Sequence, residues 1–409
     1  MESFPVQEPN CGEPRNPYYE KDILQILRYN KWILSSIGIW PIRSGDTNRY
    51  LPKLVIGLCN GILFFAIVPC TLHITFELKD TVMRLKLLGL LTFCVTSFFK
   101  YWVLAACRSG LRECVECVQN DWKQVERGGD RESMLKYGNV GRNLTLLCLV
   151  FMYTGGMMYH TLVQYAIGSF VDEQNRTIRP VIYPAYSGLY DPQRTPIYEL
   201  VYGLHFMCGY VIYSVAVGAC GLAALFVTHV CGQINIIMSR LENLIDRKKN
   251  TDPGQRLIEI VEHHIRTLRF STKIERLLQE VCFVEFIGST FLICLLEYYT
   301  ITDWEFNNTL SLVTYFILLM SLTFNIYLLC YIGELLVEKT SNVGLFCFTI
   351  DWYCLPTETV RGLVLIIAMS RNPAKITAGR VADLNLYTFV TVLKTSLAYL
   401  SFLRTTVME

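Results

Sequence analysis

The chain has 409 residues, of which 52% are hydrophobic and 18% are charged, and its formal net charge is +2. A soluble globular chain carries about 25% charged residues, so this composition fits a polytopic membrane protein and excludes an ordinary soluble domain. The small net charge gives no reason to expect binding to nucleic acid.

The N-terminal segment, residues 1–52, is predicted to lie in the cytoplasm. Residues 1–22 are polar and lack the apolar core of a signal peptide. Apolar residues then recur at helical spacing: Ile23, Ile26, Leu27, Trp32, Ile33 and Ile37. The pattern predicts a helix, which is either amphipathic at the inner leaflet or an ordinary packing helix beside the membrane.

Seven apolar stretches are long enough to cross a bilayer, which takes about 20 helical residues. We number them spans one to seven and place them at residues 53–76, 84–107, 143–168, 197–229, 281–302, 309–333 and 385–407. Span four is longer than a bilayer needs and is predicted to continue into water. The sequence therefore predicts an all-α protein with seven transmembrane helices.

Lysine and arginine predict the orientation of these spans. Of the 37 basic residues, 28 lie on the side of the N-terminus and seven on the other side. The positive-inside rule then places the N-terminus in the cytoplasm and the C-terminus outside. The other two, Lys100 and Lys394, lie in the inner halves of spans. We expect a structural role for each, and the alternative is a side chain that reaches toward the inner surface.

Three cytoplasmic segments carry helical or cysteine patterns. Cys114 and Cys117 form a C-x-x-C pair in a predicted loop, a weak signal for metal or redox chemistry without a second pair. Asp252-Pro253 is typical of a helix start, and that helix is expected to continue into span five. Residues 363–369 are apolar but too short to cross, so a buried helix is expected. With residues 334–384, these helices are predicted to form a cytoplasmic anchor for subunit association.

The outer loop, residues 169–196, contains four prolines and three tyrosines. It is predicted to be either a lid over a cavity or a passive ordered loop. Asn175-Arg176-Thr177 matches the acceptor pattern for N-glycosylation and lies on the predicted outer side.

Span seven, within residues 385–409, carries more hydroxyl and charged side chains than a lipid-facing helix tolerates. We expect it either to pack against polar neighbours or to line water.

The C-terminal third resembles the insect odorant receptor family. GELLVEKTSNVGLFCFTIDWYCL (333–355) and LIIAMSRNPAKITAGR…LYTFVTVLKTSLAYLSFLR (365–404) are similar to the family's C-terminal motifs. The chain departs from them at Lys339-Thr340, where Glu-Ser is usual, at Asn372 in place of Gln, and at Ala398 in place of Ser. The T-Y-x5-Q-F ending of gustatory receptors is absent, and the loop after span four is shorter than that of the shared coreceptor.

This resemblance implies an odorant-gated, poorly selective cation channel in the plasma membrane of an insect sensory neuron. It implies a tetramer that includes the odorant receptor coreceptor, with four copies of span seven around the pore. The expected partners are a small volatile odorant, the coreceptor and membrane lipid. No cofactor, metal or catalytic group is expected.

The pore is predicted at the outer end of span seven. Alignment on the family's aromatic pair assigns Phe402 to an apolar constriction, with Ser401 beside it, and Thr405 and Thr406 to the outer ring. The alternative for Phe402 is packing against a neighbouring span. Arg404 is expected to point away from the axis, because four arginines there would repel cations.

The odorant is expected in the outer halves of spans two, three, four and six, where recognition depends on shape and aromatic surface. The candidate contacts are Phe93, Thr96, Tyr153, Gly156, Met157, His160, Phe206, Gly209, Tyr210, Tyr315 and Leu319. Each taken alone also fits a packing role. Gly156 is expected to leave room for a ligand. His160 is expected to be neutral, and either to donate to a ligand oxygen or to bond a neighbouring hydroxyl.

Three other function classes fit the sequence less well. The charge asymmetry opposes a metabotropic seven-span chemoreceptor, a transporter would show internal repeats, and a gustatory-receptor-like channel would carry the missing motif. Residue types that catalyse reactions do not cluster at any suggestive spacing.

Overall fold

A computed structural model describes residues 15–41, 50–125, 128–163, 170–171, 177–186, 188–245, 252–305 and 309–408. The helices within these ranges are α1 Tyr19–Ser36, α2 Leu51–Leu72, α3 Thr81–Ala106, α4 Arg108–Gln124, α5 Gly129–Met157, α6 Ile197–Glu242, α7 Pro253–Glu305, α8 Thr309–Thr349, α9 Thr357–Ser370 and α10 Leu386–Met408. The short antiparallel strand pairs are β1 Phe170–Val171 with β2 Thr177–Ile178, and β3 Thr377–Ala378 with β4 Ala382–Asp383.

The seven predicted spans correspond to helices α2, α3, α5, α6, α7, α8 and α10. Six are long and apolar enough to cross a membrane, and the seventh, over Leu386–Phe402, is a shorter apolar helix. The predicted all-α architecture with seven apolar helices is confirmed. Helices α6, α7 and α8 are longer than a bilayer requires, with 46, 53 and 41 residues, so they extend beyond it.

Helix α6 is the central element of the fold. Every residue from Val211 to Ile234 is buried, because this stretch is apolar on all faces and other helices surround it. Small residues allow close approach: a Cβ on Gly141 of α5 would overlap the Thr228 side chain of α6. A Cβ on Gly218 of α6 would lie 2.6 Å from the Leu34 side chain of α1.

Helix α1 packs on α4, α5 and α6 instead of standing apart from the bundle. Its apolar face is buried through Ile23, Ile26 and Ile33, but Trp32 is 61% exposed and does not belong to that face. Asp22 at the start of the helix accepts two hydrogen bonds of 2.8 Å from the Arg131 guanidinium of α5. Of the two alternatives for this segment, the structure therefore supports the packing helix.

The C-x-x-C pair does not lie in a loop, as the sequence suggested, because it falls within helix α4. Cys114 is buried and Cys117 is half-buried, and both are free thiols. Burial raises the pKa of Cys114 to about 12, so the reactive thiolate form is scarce at neutral pH. The cysteine acts as a small apolar residue in the contact of α4 with its neighbours.

Lys100 of span two has the structural role expected for it, and its side chain does not take the alternative course toward the inner surface. Its Nζ lies 2.6 Å from Glu285 Oε2 of span five, and both side chains are buried. The other carboxylate oxygen accepts hydrogen bonds of 2.9 Å from Ser289 and from Asn325 of span six. A buried charge is stable only when paired and hydrogen-bonded, and this network provides both conditions.

The predicted cytoplasmic ends of α7 and α8 pack against α9 and the segment that precedes span seven. Helix α7 begins at Pro253 and continues without a break into span five, as predicted. The β3–β4 turn lies on this helix, since the Gly379 amide donates to the Gln279 carbonyl over 2.9 Å. Gly379 and Arg380 have φ of 59° and 61°, and this left-handed pair allows the tight turn.

Candidate ligand cavity

A cavity lies among spans two to six, with walls that are mostly apolar and aromatic. It contains about 720 Å³ of atom-free space, a figure that includes its opening to solvent. Its lining residues are Lys86, Gly89, Leu90, Phe93, Met152, Gly156, Tyr159, His160, Tyr183, Tyr213, Leu292, Leu295, Leu296, Tyr299, Tyr315, Leu318, Ser321 and Leu322.

Four of the residues predicted from the sequence line this cavity: Phe93, Gly156, His160 and Tyr315. They come from spans two, three and six. The rings of Phe93 and Tyr213 have centroids 6.0 Å apart, and the His160 ring meets Tyr213 edge-on at 5.7 Å. The cavity wall at this depth is therefore an aromatic surface from three different helices.

Seven predicted residues lie outside the lining: Thr96, Tyr153, Met157, Phe206, Gly209, Tyr210 and Leu319. The hydroxyl of Tyr153 bonds Ser214 over 2.7 Å, and that of Tyr210 donates to Ser36 over the same distance. Thr96 packs on span five, where a Cβ on Gly288 would lie 2.7 Å from its methyl group. Helical spacing alone did not separate cavity walls from helix contacts.

Gly156 does not leave an open space for a ligand, because the Tyr213 ring fills the position where a Cβ would lie. The His160 ring likewise fills the space beside Gly209, where a Cβ would lie 2.6 Å from His160 Nε2. The two glycines therefore admit aromatic rings from the facing helix. The rings, in turn, form part of the surface around the cavity.

The imidazole of His160 is held by two groups from different spans. Its Nδ1 lies 3.0 Å from the Gly156 carbonyl, which only accepts, so this nitrogen carries the proton and donates. The Tyr213 hydroxyl lies 3.1 Å from the same nitrogen. His160 therefore contacts a neighbouring hydroxyl, which was one of the two alternatives that the sequence left open.

Span five and the outer loop contribute residues that the sequence reasoning missed. The cavity residues of span five follow helical spacing, a signal that the sequence carries: Leu292, Leu295, Leu296 and Tyr299. Tyr183 comes from the outer loop and is only 2% exposed. The prolines of the outer loop favoured a lid as one of two alternatives. They did not predict that the Tyr183 side chain enters the bundle, because that depends on tertiary packing.

Span five also touches span seven on the side away from the cavity. The Ser396 hydroxyl of span seven lies 3.1 Å from Glu297 Oε1 and 2.9 Å from the Leu393 carbonyl of its own helix. Glu297 is adjacent in sequence to Leu296, which lines the cavity. One helix therefore joins the cavity wall to the last span.

The residues predicted for the pore lie at the C-terminal end of α10. Phe402 is 67% exposed in the single chain, and Ser401 is also exposed. The side chains of Arg404, Thr405 and Thr406 lie outside the described part of the structure, as does Asn175 in the outer loop.

Among the described residues, no three His, Cys, Asp or Glu side chains form a group that could hold a metal ion. His263 and His264, which are adjacent on α7, have separate environments. His263 Nε2 lies 2.5 Å from Gln233 Oε1, and His264 is fully buried.

Comparison with known sequences identifies similar proteins along most of the chain. A family model described as 7tm Odorant receptor matches residues 83–397. Odorant receptor 13a of Drosophila melanogaster is 24% identical over 277 residues, covering 63% of this chain and 64% of that protein. Odorant receptor 85b of the same organism is 23% identical over 398 residues, covering 93% of this chain and 98% of that protein.

Comparison with solved structures gives the same result for the fold. The insect olfactory receptor OR5 from Machilis hrabei, solved in complex with eugenol, is similar with a TM-score of 0.76. The match covers 95% of this chain and 100% of that chain, at 15% sequence identity. A similarity at this identity establishes the seven-span fold.

Proposed function

Because the chain belongs to the insect odorant receptor family, we propose that it is a subunit of an odorant-gated, non-selective cation channel. A small volatile odorant binds in the cavity among spans two to six. Binding opens a pore that is lined by span seven of a tetramer in the plasma membrane.

The observation that carries this proposal is the position of span five between the cavity and span seven. Leu292, Leu296 and Tyr299 on one side of this helix line the cavity. Glu297 on the other side contacts Ser396 of span seven. A ligand that binds the open state more tightly than the closed state shifts the equilibrium toward the open state. The size of the shift is set by the difference between the two affinities. Movement of span five then displaces span seven.

The walls of the cavity suit small, apolar ligands. Leu90, Leu295 and Leu318 supply apolar surface, and Phe93 and Tyr315 supply aromatic surface. The similar receptor OR5 from Machilis hrabei was solved in complex with eugenol, which supports a small odorant as the ligand class of this chain.

The pore is formed by the outer half of span seven, with Ser401, Phe402, Thr405 and Thr406 facing the axis. Phe402 is largely exposed in the single chain, which fits a residue covered by other subunits or by water. An apolar ring closes a pore by dewetting, and hydroxyl rings replace part of an ion's hydration without strong selectivity.

The partner subunit is the odorant receptor coreceptor, which joins this chain through the cytoplasmic anchor helices. Whole-cell recording against an odorant panel, with and without the coreceptor, tests this assembly. We expect odorant-evoked cation currents with the coreceptor and silence without it. Currents that disappear when G-protein signalling is blocked would favour a metabotropic receptor instead.

A further inference from the structure

We infer that the hydroxyl of Tyr183 donates a hydrogen bond to an oxygen of the odorant. The ligands of this chain are therefore oxygen-bearing volatiles, such as ketones, esters or alcohols, in preference to hydrocarbons of the same shape. This inference rests on the proposed odorant site and adds the chemical class of its ligand.

The outer loop holds Tyr183 in a defined position above the bundle. Its backbone amide donates to His205 Nδ1 over 3.4 Å, and its ring meets the His205 ring edge-on at 5.0 Å. The ring also lies edge-on to His160, with centroids 6.2 Å apart. Ile182 beside it is buried as well. A loop residue fixed in this way is part of the cavity wall.

The hydroxyl of Tyr183 is buried and has no nitrogen or oxygen partner among the described residues. The group within hydrogen-bonding reach is the thiol of Cys94 on span two, and thiol sulfur is only a weak acceptor. A buried hydroxyl that has given up its bonds to water is costly unless another acceptor replaces them. An oxygen atom of a ligand in the cavity provides that acceptor.

Three other polar groups of the cavity, on His160, Ser321 and Tyr299, already have their bonds or have no room for a ligand. Among the described lining residues, His160 Nε2 is the other buried atom without a partner. This nitrogen faces Gly209, where even a Cβ would lie only 2.6 Å away, so an odorant does not fit beside it. Ser321 donates to the Phe151 carbonyl over 3.0 Å, and Tyr299 donates to the Leu85 carbonyl.

The acceptor preference follows from the chemistry of the site. A site built to hydrogen-bond a ligand discriminates against the analogue that leaves its buried group unpaired. The phenol group of Tyr183 donates to a carbonyl, ether or hydroxyl oxygen, whereas an alkyl group leaves it without a partner. Shape then selects among oxygenated ligands, because the remaining walls are apolar.

Tyr190 provides a matched control on the same loop. Its hydroxyl is also buried without a partner, but its ring stacks on Phe65 at 5.8 Å and it does not line the cavity. Tyr183→Phe and Tyr190→Phe thus remove the same atom at two sites, only one of which faces the proposed ligand.

The test records currents from cells that express each variant with the coreceptor. The probes are matched pairs of an oxygenated volatile and its hydrocarbon counterpart, such as acetophenone with ethylbenzene and heptanal with heptane. We expect Tyr183→Phe to raise the half-maximal concentration for the oxygenated member about tenfold, while that for the hydrocarbon stays unchanged or falls. Tyr190→Phe should leave the ratio between the two members unaltered.

Two results would overturn the inference while leaving the proposed function intact. One is a Tyr183→Phe variant that shifts both members of each pair equally or not at all. The other is a wild-type chain that prefers the hydrocarbons. If no member of a broad panel drives current in the presence of the coreceptor, the proposed function fails instead. The response to hydrocarbons reports whether the variant folds.

Discussion

At the scale of single residues, aromatic rings around the cavity occupy the space beside glycines of the facing helix. Tyr213 occupies the space beside Gly156, and His160 occupies the space beside Gly209. The sequence singled out three of these four residues, but as possible ligand contacts. It did not pair them across helices, since that pairing depends on how spans three and four are rotated against each other.

A single methyl group at Gly156 should disturb this arrangement. Gly156→Ala forces the buried Tyr213 ring to move, and overpacking of this kind costs about 1–3 kcal/mol. We expect a lower thermal stability of the detergent-solubilised receptor, measured by fluorescence-detected size exclusion, and a weaker odorant response.

The control is Gly61→Ala in span one, where a Cβ would meet no atom within 4 Å. This variant should be as stable as the wild type or slightly more stable, because alanine favours helix. Equal stability of the two variants would show that the contact between Gly156 and Tyr213 is unimportant.

The ion pair between Lys100 and Glu285 joins spans two and five at the scale of elements. Lys100 was visible in the sequence as an intramembrane charge, but its partner is 185 residues away. No local pattern connects two positions at that separation. Lys100 therefore has the expected structural role, but the identity of its partner could not be read from the sequence.

Removing one partner of this pair should destabilise the protein strongly. Lys100→Met leaves Glu285 buried without its counter-charge, which costs about 3–5 kcal/mol. We expect loss of surface expression and a lower midpoint of thermal unfolding. The double variant Lys100→Met/Glu285→Met should recover much of both, since apolar replacement of a whole pair is often neutral. A single variant as stable as the wild type would contradict this account.

The contact between Glu297 and Ser396 should affect gating for every ligand alike. Ser396→Ala removes the hydroxyl that reaches span five. We expect a higher half-maximal concentration and a smaller maximal current, with the rank order of odorants unchanged, in dose–response recordings.

Thr391→Ala on the same helix is the control, because that hydroxyl is exposed and bonds the Tyr387 carbonyl of its own helix. If Ser396→Ala changed the rank order of odorants, Ser396 would act on ligand binding and not on coupling between the spans.

At the scale of the whole molecule, the sequence predicted the seven apolar helices and the continuous helix into span five. Composition and hydropathy carry this information directly, because a bilayer requires long apolar segments. The cavity was predicted only in outline. Spans two, three and six contributed some of the expected residues, whereas span five and Tyr183 of the outer loop depend on long-range packing that no single segment reveals.

The orientation of the helices across the membrane is a separate prediction, which rests on the distribution of basic residues. The excess of basic residues on the N-terminal side places that terminus in the cytoplasm. An epitope tag at the N-terminus should be stained by antibody only after the cells are permeabilised, whereas a C-terminal tag should be stained on intact cells. Staining of the N-terminal tag on intact cells would overturn the topology and, with it, the position of the pore.

Recording from excised patches tests the central claim of an odorant-gated channel most directly. Outside-out patches are pulled from cells that express this chain with the coreceptor. The pipette solution, which faces the cytoplasmic side of the patch, contains no nucleotides. We predict that odorants evoke cation currents in these patches, and that replacing Phe402 with alanine alters the current. Patches that lose the response as soon as the cytoplasm is removed, while intact cells retain it, would contradict the account.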